Sequence, residues 1–385
     1  MATRSQDVST GWRSLRRLIN HRTPLLSSAL GLSLLSLFSQ ELVPQTTSSL
    51  PEPRSSSTPA CPVEARTLGS TFFETSTIDL HDSDTARIVD PLVVDVSPSG
   101  DKILIGDRAE YDIKLFDRSG VLRSVIGVRG DDRGKIYSLD GAAFRGDSSI
   151  VVADAGRLQL LEFALNGTFI AETYLPVRPI TSIQVIDTTI VVAGRSWPIV
   201  DANEVRGVHL VAPDGQIHAR FASQPLRSVA RIPRALHATA PLATKTAGDS
   251  VLVAWRLTNQ ASVLDLASGT GRVFPIGHGI GFIDPDELLA SIEPDQHDNV
   301  LHLSSPLVGL FSANDFVIVS YFSPGTDDNT LRHLIYRRSG EFVESASGPP
   351  LILGSYRDSL LAIGPSRVGS AGGGFSLGIF VPCSP

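Results

Sequence analysis

Two stretches with the same internal spacing, Ile103-Leu104-Ile105-Gly106-Asp107 and Ile150-Val151-Val152-Ala153-Asp154, decide the fold. Each is a short apolar run that ends in a small residue followed by an aspartate. In both, an aromatic residue lies nine positions after the aspartate and a glycine thirteen after it: Phe116 and Gly120 in the first copy, Phe163 and Gly167 in the second. Self-similarity at a fixed spacing indicates a repeat architecture. It identifies no chemistry.

The repeat extends along the chain as six units, if each apolar run is interpreted as the second strand of a four-stranded unit. The second strands are predicted to end at Asp107, Asp154, Gly194, Trp255, Tyr321 and Gly364, at intervals of 47, 40, 61, 66 and 43 residues. Four strands per unit with a period of roughly 40 to 50 residues are typical of β-propellers. We therefore predict an all-β fold, a six-bladed β-propeller with four-stranded antiparallel blades.

The first unit shows the pattern most clearly. Its strands are predicted at 92–96, 102–106, 112–116 and 122–126. The segments 97–100 (Ser-Pro-Ser-Gly) and 117–120 (Asp-Arg-Ser-Gly) have the composition of hairpin turns. The high content of glycine and proline along the chain, 33 and 25 residues, agrees with the many tight turns of an all-β protein.

Residues 113–120, 149–154 and 161–167 resemble the blade of an NHL repeat, and the resemblance covers residues 92–174. It implies a propeller, and six units imply the six-bladed class. NHL-like propellers include both binding modules and enzymes, so the resemblance does not fix the function.

The last unit is one strand short. After the segments 359–364 and 369–374, only one strand, 376–381, precedes the C-terminus, whereas residues 71–80 form a strand that no unit uses. A ring must cover its first and last edges. We therefore expect 71–80 to pair with 376–381 and to close the ring in the last blade.

The N-terminus has the features of an export signal. Five arginines precede the fourteen-residue apolar segment 25–38, which is shorter than the roughly twenty residues of a membrane-spanning helix. A cleaved signal is favoured over an uncleaved anchor, and the pair Arg16-Arg17 leaves a twin-arginine route open. We predict a signal peptide or anchor at 1–39, a disordered linker rich in Pro, Ser and Thr at 40–64, and the propeller at 65–385. The exported protein would be periplasmic, secreted or tethered outside the cytoplasmic membrane.

The charge balance argues against nucleic acid as a partner. The chain has 33 Lys and Arg against 40 Asp and Glu. Beyond residue 60 the counts are 27 and 37, a net charge of −10, whereas phosphate-backbone binding needs a basic face. A monomer is expected, in contact with a membrane only if the N-terminal segment is retained.

The two cysteines, Cys61 and Cys383, lie at opposite ends of the exported chain. An even number of cysteines in an exported protein favours a disulfide, and the predicted closure of the ring would bring these two together. The alternative is a lipid-modified Cys61. The residues before it are far from the apolar segment and lack the apolar position of a lipoprotein signal.

Long loops break the symmetry of the ring. Within each unit, the connections between strands one and two and between strands three and four are short. Nearly all long segments instead lie between strands two and three or between successive units, such as 128–139, 195–206, 222–237 and 278–305. We expect those segments on one face, as a binding surface. The predicted ligand-binding residues are Arg129, Asp131, Arg133, Tyr137, Trp197, Arg234, His278 and Asp284. The expected ligand is a protein segment or a saccharide.

An enzyme is the alternative, specifically a metal-dependent hydrolase or lyase with its site in the central channel. Enzymatic six-bladed propellers similar to the calcium-dependent lactonases are expected to hold a metal with Glu, Asn and Asp side chains. The innermost predicted strands here offer Asp95 and Gln184, with Asp140 at a strand start, and no Asn. No cofactor and no metal ligand is predicted, and calcium or another divalent ion stays an open alternative. The sequence therefore favours a binding module over an enzyme.

Overall fold

The computed structural model describes residues 66–81, 86–198, 205–212, 214–223, 240–246, 248–256, 258–278, 307–322, 331–348, 350–366 and 374–383. Within these ranges the chain forms β-strands, and none of them contains a helix that could cross a membrane. The strands make six antiparallel sheets, and the innermost strands of successive sheets contact one another around a closed ring. The predicted six-bladed β-propeller is confirmed.

The blades follow the chain in order. Blade 1 consists of β3 (Pro91–Val96), β4 (Lys102–Asp107), β5 (Asp112–Asp117) and β6 (Leu122–Ile126). Blade 2 consists of β7 (Gly141–Arg145), β8 (Ser149–Asp154), β9 (Gln159–Ala164) and β10 (Phe169–Tyr174). Blade 3 consists of β11 (Val177–Ile186), β12 (Thr189–Ser196), β13 (Arg206–Val211) and β14 (Ile217–Ser223).

The second half of the ring repeats the arrangement. Blade 4 consists of β15 (Pro241–Lys245), β16 (Ser250–Trp255), β17 (Gln260–Asp265) and β18 (Gly271–Pro275). Blade 5 consists of β19 (Leu307–Ala313), β20 (Phe316–Phe322), β21 (Leu331–Arg337) and β22 (Phe342–Ser347). Blade 6 combines β23 (Leu351–Tyr356), β24 (Ser359–Pro365) and β25 (Phe375–Pro382) with the N-terminal β2 (Phe72–Leu80) and the short edge strand β1 (Thr67–Leu68).

The apolar runs of the second strands are buried on both sides. In β4, Ile103 and Ile105 pack towards blade 6, whereas Leu104 packs towards blade 2. All three side chains are fully buried, and each contributes roughly 1.5 to 3 kcal/mol of hydrophobic stabilisation. Two buried faces explain why these strands are continuous apolar runs. The outermost strand β10 instead alternates between partly buried and exposed residues because only one of its faces is covered.

Blade 6 closes the ring as predicted. Strand β2 pairs antiparallel with β25, from Phe72 opposite Pro382 to Leu80 opposite Phe375. The backbone then continues to blade 1, where the amide of His81 donates to the carbonyl of Gly120 at 2.8 Å. Gly120 has a φ of +84°, and a β-carbon there would lie 2.0 Å from the carbonyl oxygen of Asp79. The glycine of the repeat is therefore required both by its turn and by the closing strand.

A carboxylate also fastens the N-terminal segment to blade 5. Glu344 on β22 accepts hydrogen bonds from the amides of Ser70 and Thr71, at 2.9 and 2.7 Å. Burial alone would raise the pKa of Glu344, but these hydrogen bonds outweigh it and lower the pKa.

The predicted ends of the second strands agree with the structure in three blades, at Asp107, Asp154 and Trp255. In the other three the strand continues by one or two residues, to Ser196, Phe322 and Pro365. In blade 3 the reason is an irregular register in β11, which lets Val177 pair with Ser196 beyond the predicted end. Strand ends set by such irregularities have no periodic signal in the sequence.

Antiparallel order fixes which connections share a face. The links between β4 and β5, β6 and β7, β8 and β9, and β10 and β11 all open on one side of the ring, which we call the long-loop face. Of the long segments predicted there, 128–139 lies wholly within the described residues. The segments 199–204, 224–239 and 279–306, which include half of 195–206 and most of 222–237 and 278–305, lie outside them.

Candidate functional site

A cleft of about 390 Å³ opens on the long-loop face where blades 1, 2 and 3 meet. We call it the Tyr-Arg cleft. It is lined by Tyr111, Arg129, Gly130, Asp131, Tyr137, Ser138, Gly156 and Arg178. Three of the predicted ligand-binding residues, Arg129, Asp131 and Tyr137, therefore lie together. Its size is in the range of sites for small ligands or a few side chains.

Aromatic rings and guanidinium groups form the walls of the cleft. The guanidinium carbon of Arg129 lies 4.5 Å from the centre of the Tyr111 ring, a cation–π contact. Tyr137 is 53% exposed although its main chain is fixed. An exposed ring on a rigid backbone loses little conformational entropy when it contacts a ligand.

Aspartates at the ends of the second strands hold the loops that carry these rings. Asp154 accepts hydrogen bonds from the amides of Tyr137 at 2.8 Å and Ser138 at 3.2 Å. In blade 1, Asp107 accepts in the same way from Val89 and Asp90, at 2.6 and 3.1 Å. The aspartate of the sequence repeat therefore binds the two residues that lead towards the innermost strand. Its role in the fold is to accept hydrogen bonds from these partly buried amides.

Arg157 fixes the other side of the same loop. Its guanidinium donates to the carbonyls of Asp132 at 3.1 Å and Gly130 at 3.3 Å, and it approaches the Tyr137 ring at 6.0 Å. It also lies 4.0 Å from a carboxylate oxygen of the exposed Asp131. Arg157 is thus a positioning residue, since it holds the loop without lining the cleft.

Replacing Arg157 by alanine should speed amide hydrogen exchange at Gly130 and Ile136 by about tenfold, which corresponds to about 1.4 kcal/mol of local stability. These amides bond within the loop that Arg157 holds. Arg133→Ala is the matched control, because Arg133 belongs to the same loop but makes no hydrogen bond to its carbonyls in the described part of the chain. Equal exchange rates in both variants would contradict the positioning role.

The other predicted site residues that the structure describes, Arg133, Trp197 and His278, do not line the cleft. Arg133 is directed to the outer side of blade 2, with its Nε 3.3 Å from Glu172 and its guanidinium over the Phe169 ring. Trp197 follows β12 on the long-loop face, and its amide donates to the carbonyl of Pro176 at 2.8 Å. Arg234 and Asp284 lie outside the described residues.

His278 lies at the end of blade 4, away from the Tyr-Arg cleft. Its ring stacks on Phe342 with 3.8 Å between ring centres, and its amide donates to the Tyr336 hydroxyl at 3.1 Å. Burial raises the pKa of Tyr336 to about 12, so this hydroxyl stays protonated at neutral pH. Among the described residues, no group of three or more His, Cys, Asp or Glu side chains could hold a metal ion.

Polar side chains of the innermost strands connect neighbouring blades. The carboxylate of Asp95 accepts from the amide of Phe144 in blade 2 at 2.8 Å, and burial raises the pKa of Asp95 to about 6. Gln184 donates to the Thr244 hydroxyl of blade 4 at 3.3 Å. Asp140 accepts from the Ser138 hydroxyl and the Ala155 amide. The three channel candidates thus take part in hydrogen bonds between or within blades.

Tyr111, Gly156, Arg157 and Arg178 were not predicted from the sequence as site residues. Tyr111, Gly156 and Arg157 lie in short turns, and Arg178 is the second residue of β11, whereas the predicted site residues all come from long segments. The order of strands in a blade was the available signal. It places the short turns 108–111 and 155–158 on the same face as the long loop 128–139.

Solved structures share this fold at low sequence identity. A Bacteroides fragilis protein, named as one expected to be exported, has a TM-score of 0.60 at 12% identity, over 81% of this chain and 96% of that one. A member of the DUF4221 family from Bacteroides vulgatus has a TM-score of 0.57 at 8% identity, over 82% and 98%. Both neighbours are β-propeller-like, and at these identities the likeness shows the fold alone.

No known family profile matches the chain, and no curated protein matches its sequence. The assignment to the NHL repeats therefore has no support from a family profile.

Proposed function

We propose that this protein is an exported binding module that takes its ligand, a protein segment or a saccharide, in the Tyr-Arg cleft. The observation that carries the proposal is the combination of exposed ligand-type side chains with a fixed backbone. Tyr137 and Arg129 face solvent, whereas Asp154 and Arg157 hold the loop between them. Tyr and Arg are the side chains most often found at the energetic centres of interfaces.

The proposal includes export and an NHL-like blade. Export is supported by the basic and apolar N-terminal segments of the sequence and by the name of the Bacteroides fragilis neighbour. The NHL-like assignment is supported by the repeated aspartate, because Asp107 and Asp154 make the same pair of amide contacts in consecutive blades. We further propose that the protein acts as a monomer.

Binding is favoured over the hydrolase or lyase alternative because the described channel carboxylates already accept amide hydrogen bonds. Asp95 accepts from two amides, those of Val96 and Phe144, at 2.9 and 2.8 Å. Its raised pKa is caused by burial and needs no catalytic role. A carboxylate committed to neighbouring amides is poorly suited to ligate a metal or to accept a substrate proton.

Replacing Tyr137 by alanine should weaken ligand binding by about 1 to 3 kcal/mol, roughly a 5- to 150-fold higher Kd. Ligands would first be selected with the full chain from a peptide display library and a glycan array, and affinities then measured by calorimetry. Tyr174→Ala is the matched control, because Tyr174 is 66% exposed at the end of β10 and does not line the cleft. We expect that variant to bind as the unchanged protein does.

Two results would contradict the proposal. The first is a set of selected ligands that bind equally well to the Tyr137 and Tyr174 variants, which would place the binding surface elsewhere. The second is hydrolysis or elimination of a selected ligand by the protein with added calcium, lost on Asp95→Asn, which would establish the enzyme instead.

A further inference from the structure

We infer that the ligand of the Tyr-Arg cleft is an acidic peptide segment that carries an apolar side chain beside its carboxylates. This inference rests on the proposed function and specifies the chemistry of its ligand. Three observations lead to it, namely the charge of the cleft, the apolar side chains around it and the small number of its neutral polar groups.

The cleft carries two arginines that have no ion-pair partner among the described residues. Arg129 and Arg178 are both exposed, and neither takes part in the ion pairs of this loop, which join Arg157 to Asp131, Arg133 to Glu172 and Lys135 to Asp132. Among the residues that the structure describes, Asp131 is the one carboxylate that lines the cleft, and it is the one that Arg157 approaches.

The charge of Arg178 is only partly balanced. Burial raises the pKa of Asp140, and the nearby positive charge of Arg178 lowers it by a smaller amount. The net shift of the Asp140 pKa is upward. The Asp140 carboxylate is also bonded to the Ser138 hydroxyl and the Ala155 amide. The cleft is therefore cationic on a protein whose net charge is −7. Guanidinium groups bind carboxylates through paired N–H donors.

Two exposed apolar side chains belong to the segments that carry the cleft residues. Val128 is 65% exposed and precedes Arg129 in the chain. Val89 is 47% exposed and is joined to the Tyr111 turn through Asp107, which accepts from the Val89 amide through its carboxylate and from the Tyr111 amide through its carbonyl. Aromatic and aliphatic side chains next to arginine are typical of surfaces that bind protein.

A neutral saccharide fits this surface less well. Its ring hydroxyls need several donors and acceptors, and the polar side chains of the cleft other than arginine and tyrosine are Asp131 and Ser138. A peptide with two carboxylates and one apolar side chain instead matches both guanidinium groups and the exposed Tyr137 ring.

The test uses two sets of fluorescein-labelled peptides with the pattern Gly-Ser-Glu-Φ-Glu-Ser-Gly amide, where Φ is Leu, Val, Phe or Tyr. The second set carries Gln in place of both Glu residues, so that shape is kept and charge is removed. Binding to the full chain is measured by fluorescence anisotropy at about 50 mM and about 500 mM sodium chloride. Labelled oligogalacturonate represents an acidic saccharide.

We expect the Glu set to bind about tenfold more tightly than the Gln set at low salt, and the difference to shrink at high salt. Arg129→Ala and Arg178→Ala should each raise the Kd of the Glu set about tenfold, while Arg133→Ala, an exposed arginine outside the cleft, should not. Thermal melts of the variants establish that each is folded.

Several outcomes would overturn the inference. Equal binding of the Glu and Gln sets, both weakened by Tyr137→Ala, would show that charge is not recognised and would leave the proposed function in place. Tighter binding of oligogalacturonate than of any peptide would replace the peptide by a saccharide. If Tyr137→Ala did not change the binding of the Glu set, the result would count against the proposed function itself. If no probe bound, the inference of an acidic peptide ligand would be overturned.

Discussion

Replacing Lys114 by leucine is expected to lower the free energy of unfolding by about 3 to 5 kcal/mol, measured by chemical denaturation. The Lys114 side chain is fully buried in blade 1, with its Nζ 3.2 Å from an oxygen of Asp107 and 2.6 Å from an oxygen of Asp112. Asp107 keeps its amide partners in the variant. Asp112 loses its ion-pair partner in the variant. Burial already raises the pKa of Asp112, so keeping its carboxylate ionised without Lys114 destabilises the folded protein.

Blade 2 provides the rescue for this variant. Leu161 and Gln159 occupy the positions that Lys114 and Asp112 occupy in blade 1. Leu161 is fully buried between blades 1 and 2, the counterpart of the interface between blades 6 and 1, towards which Ile105, the cross-strand partner of Lys114, packs. The double variant Lys114→Leu, Asp112→Gln should therefore regain most of the lost stability, because it reproduces the uncharged arrangement of blade 2. A loss in the single variant below about 1 kcal/mol, or a double variant no more stable than the single one, would contradict the buried ion pair as the cause.

The comparison between these blades shows why the fold was predictable from the sequence. Because the second strands are buried on both faces, their sequences are uninterrupted apolar runs. Ile103 to Ile105 is such a run in blade 1. Glycines at positive φ end the hairpins, as Gly120 and Gly167 do. Both signals are local, and together they place the strands of blade 1 within one residue of the structure. Ring closure by β2 was predictable because the last unit lacked one strand.

The site was only partly predictable because its parts come from separate blades. Arg129, Asp131 and Tyr137 share one loop, which the sequence identified by its length and composition. Tyr111 reaches the same cleft from a short turn of blade 1 and Arg178 from β11 of blade 3, and no local pattern marks them. Arg133 has the same composition signal as Arg129, but its side chain is directed to the outer strand of blade 2. Side-chain direction within a loop is decided by tertiary contacts.

The spacing of the repeated aspartate was visible in the sequence, but the hydrogen bonds that explain it were not. Its spacing identified the blades, whereas its contacts, such as Asp154 with the amides of Tyr137 and Ser138, depend on where the preceding loop returns to the ring. The same residue therefore serves the repeat and the cleft. For this reason the structural repeat and the candidate site are not independent features of the chain.

Reduction of a Cys61–Cys383 disulfide is expected to lower the free energy of unfolding by about 5 kcal/mol at most, because the bond would close a loop that contains nearly the whole propeller. Cys61 lies outside the described residues, so the pairing stays a prediction. The C-terminal partner lies at the seam, since the amide of Cys383 donates to the carbonyl of Thr71 at 2.7 Å and its sulfur lies 3.2 Å from the carbonyl oxygen of Ser70. The chain that leads back from Ser70 to Cys61 therefore starts beside the Cys383 sulfur.

The bond would act where the ring is weakest, because separation of β2 from β25 would expose two strand edges at once. Mass spectrometry of the non-reduced protein should show the linked peptides, and thermal melts with and without reductant should differ by several degrees. Cys383→Ser should melt like the reduced protein and should be insensitive to reductant. Two free thiols in protein isolated from an oxidising compartment would rule out the disulfide, and the pairing of β2 with β25 would then hold the seam without a covalent bond.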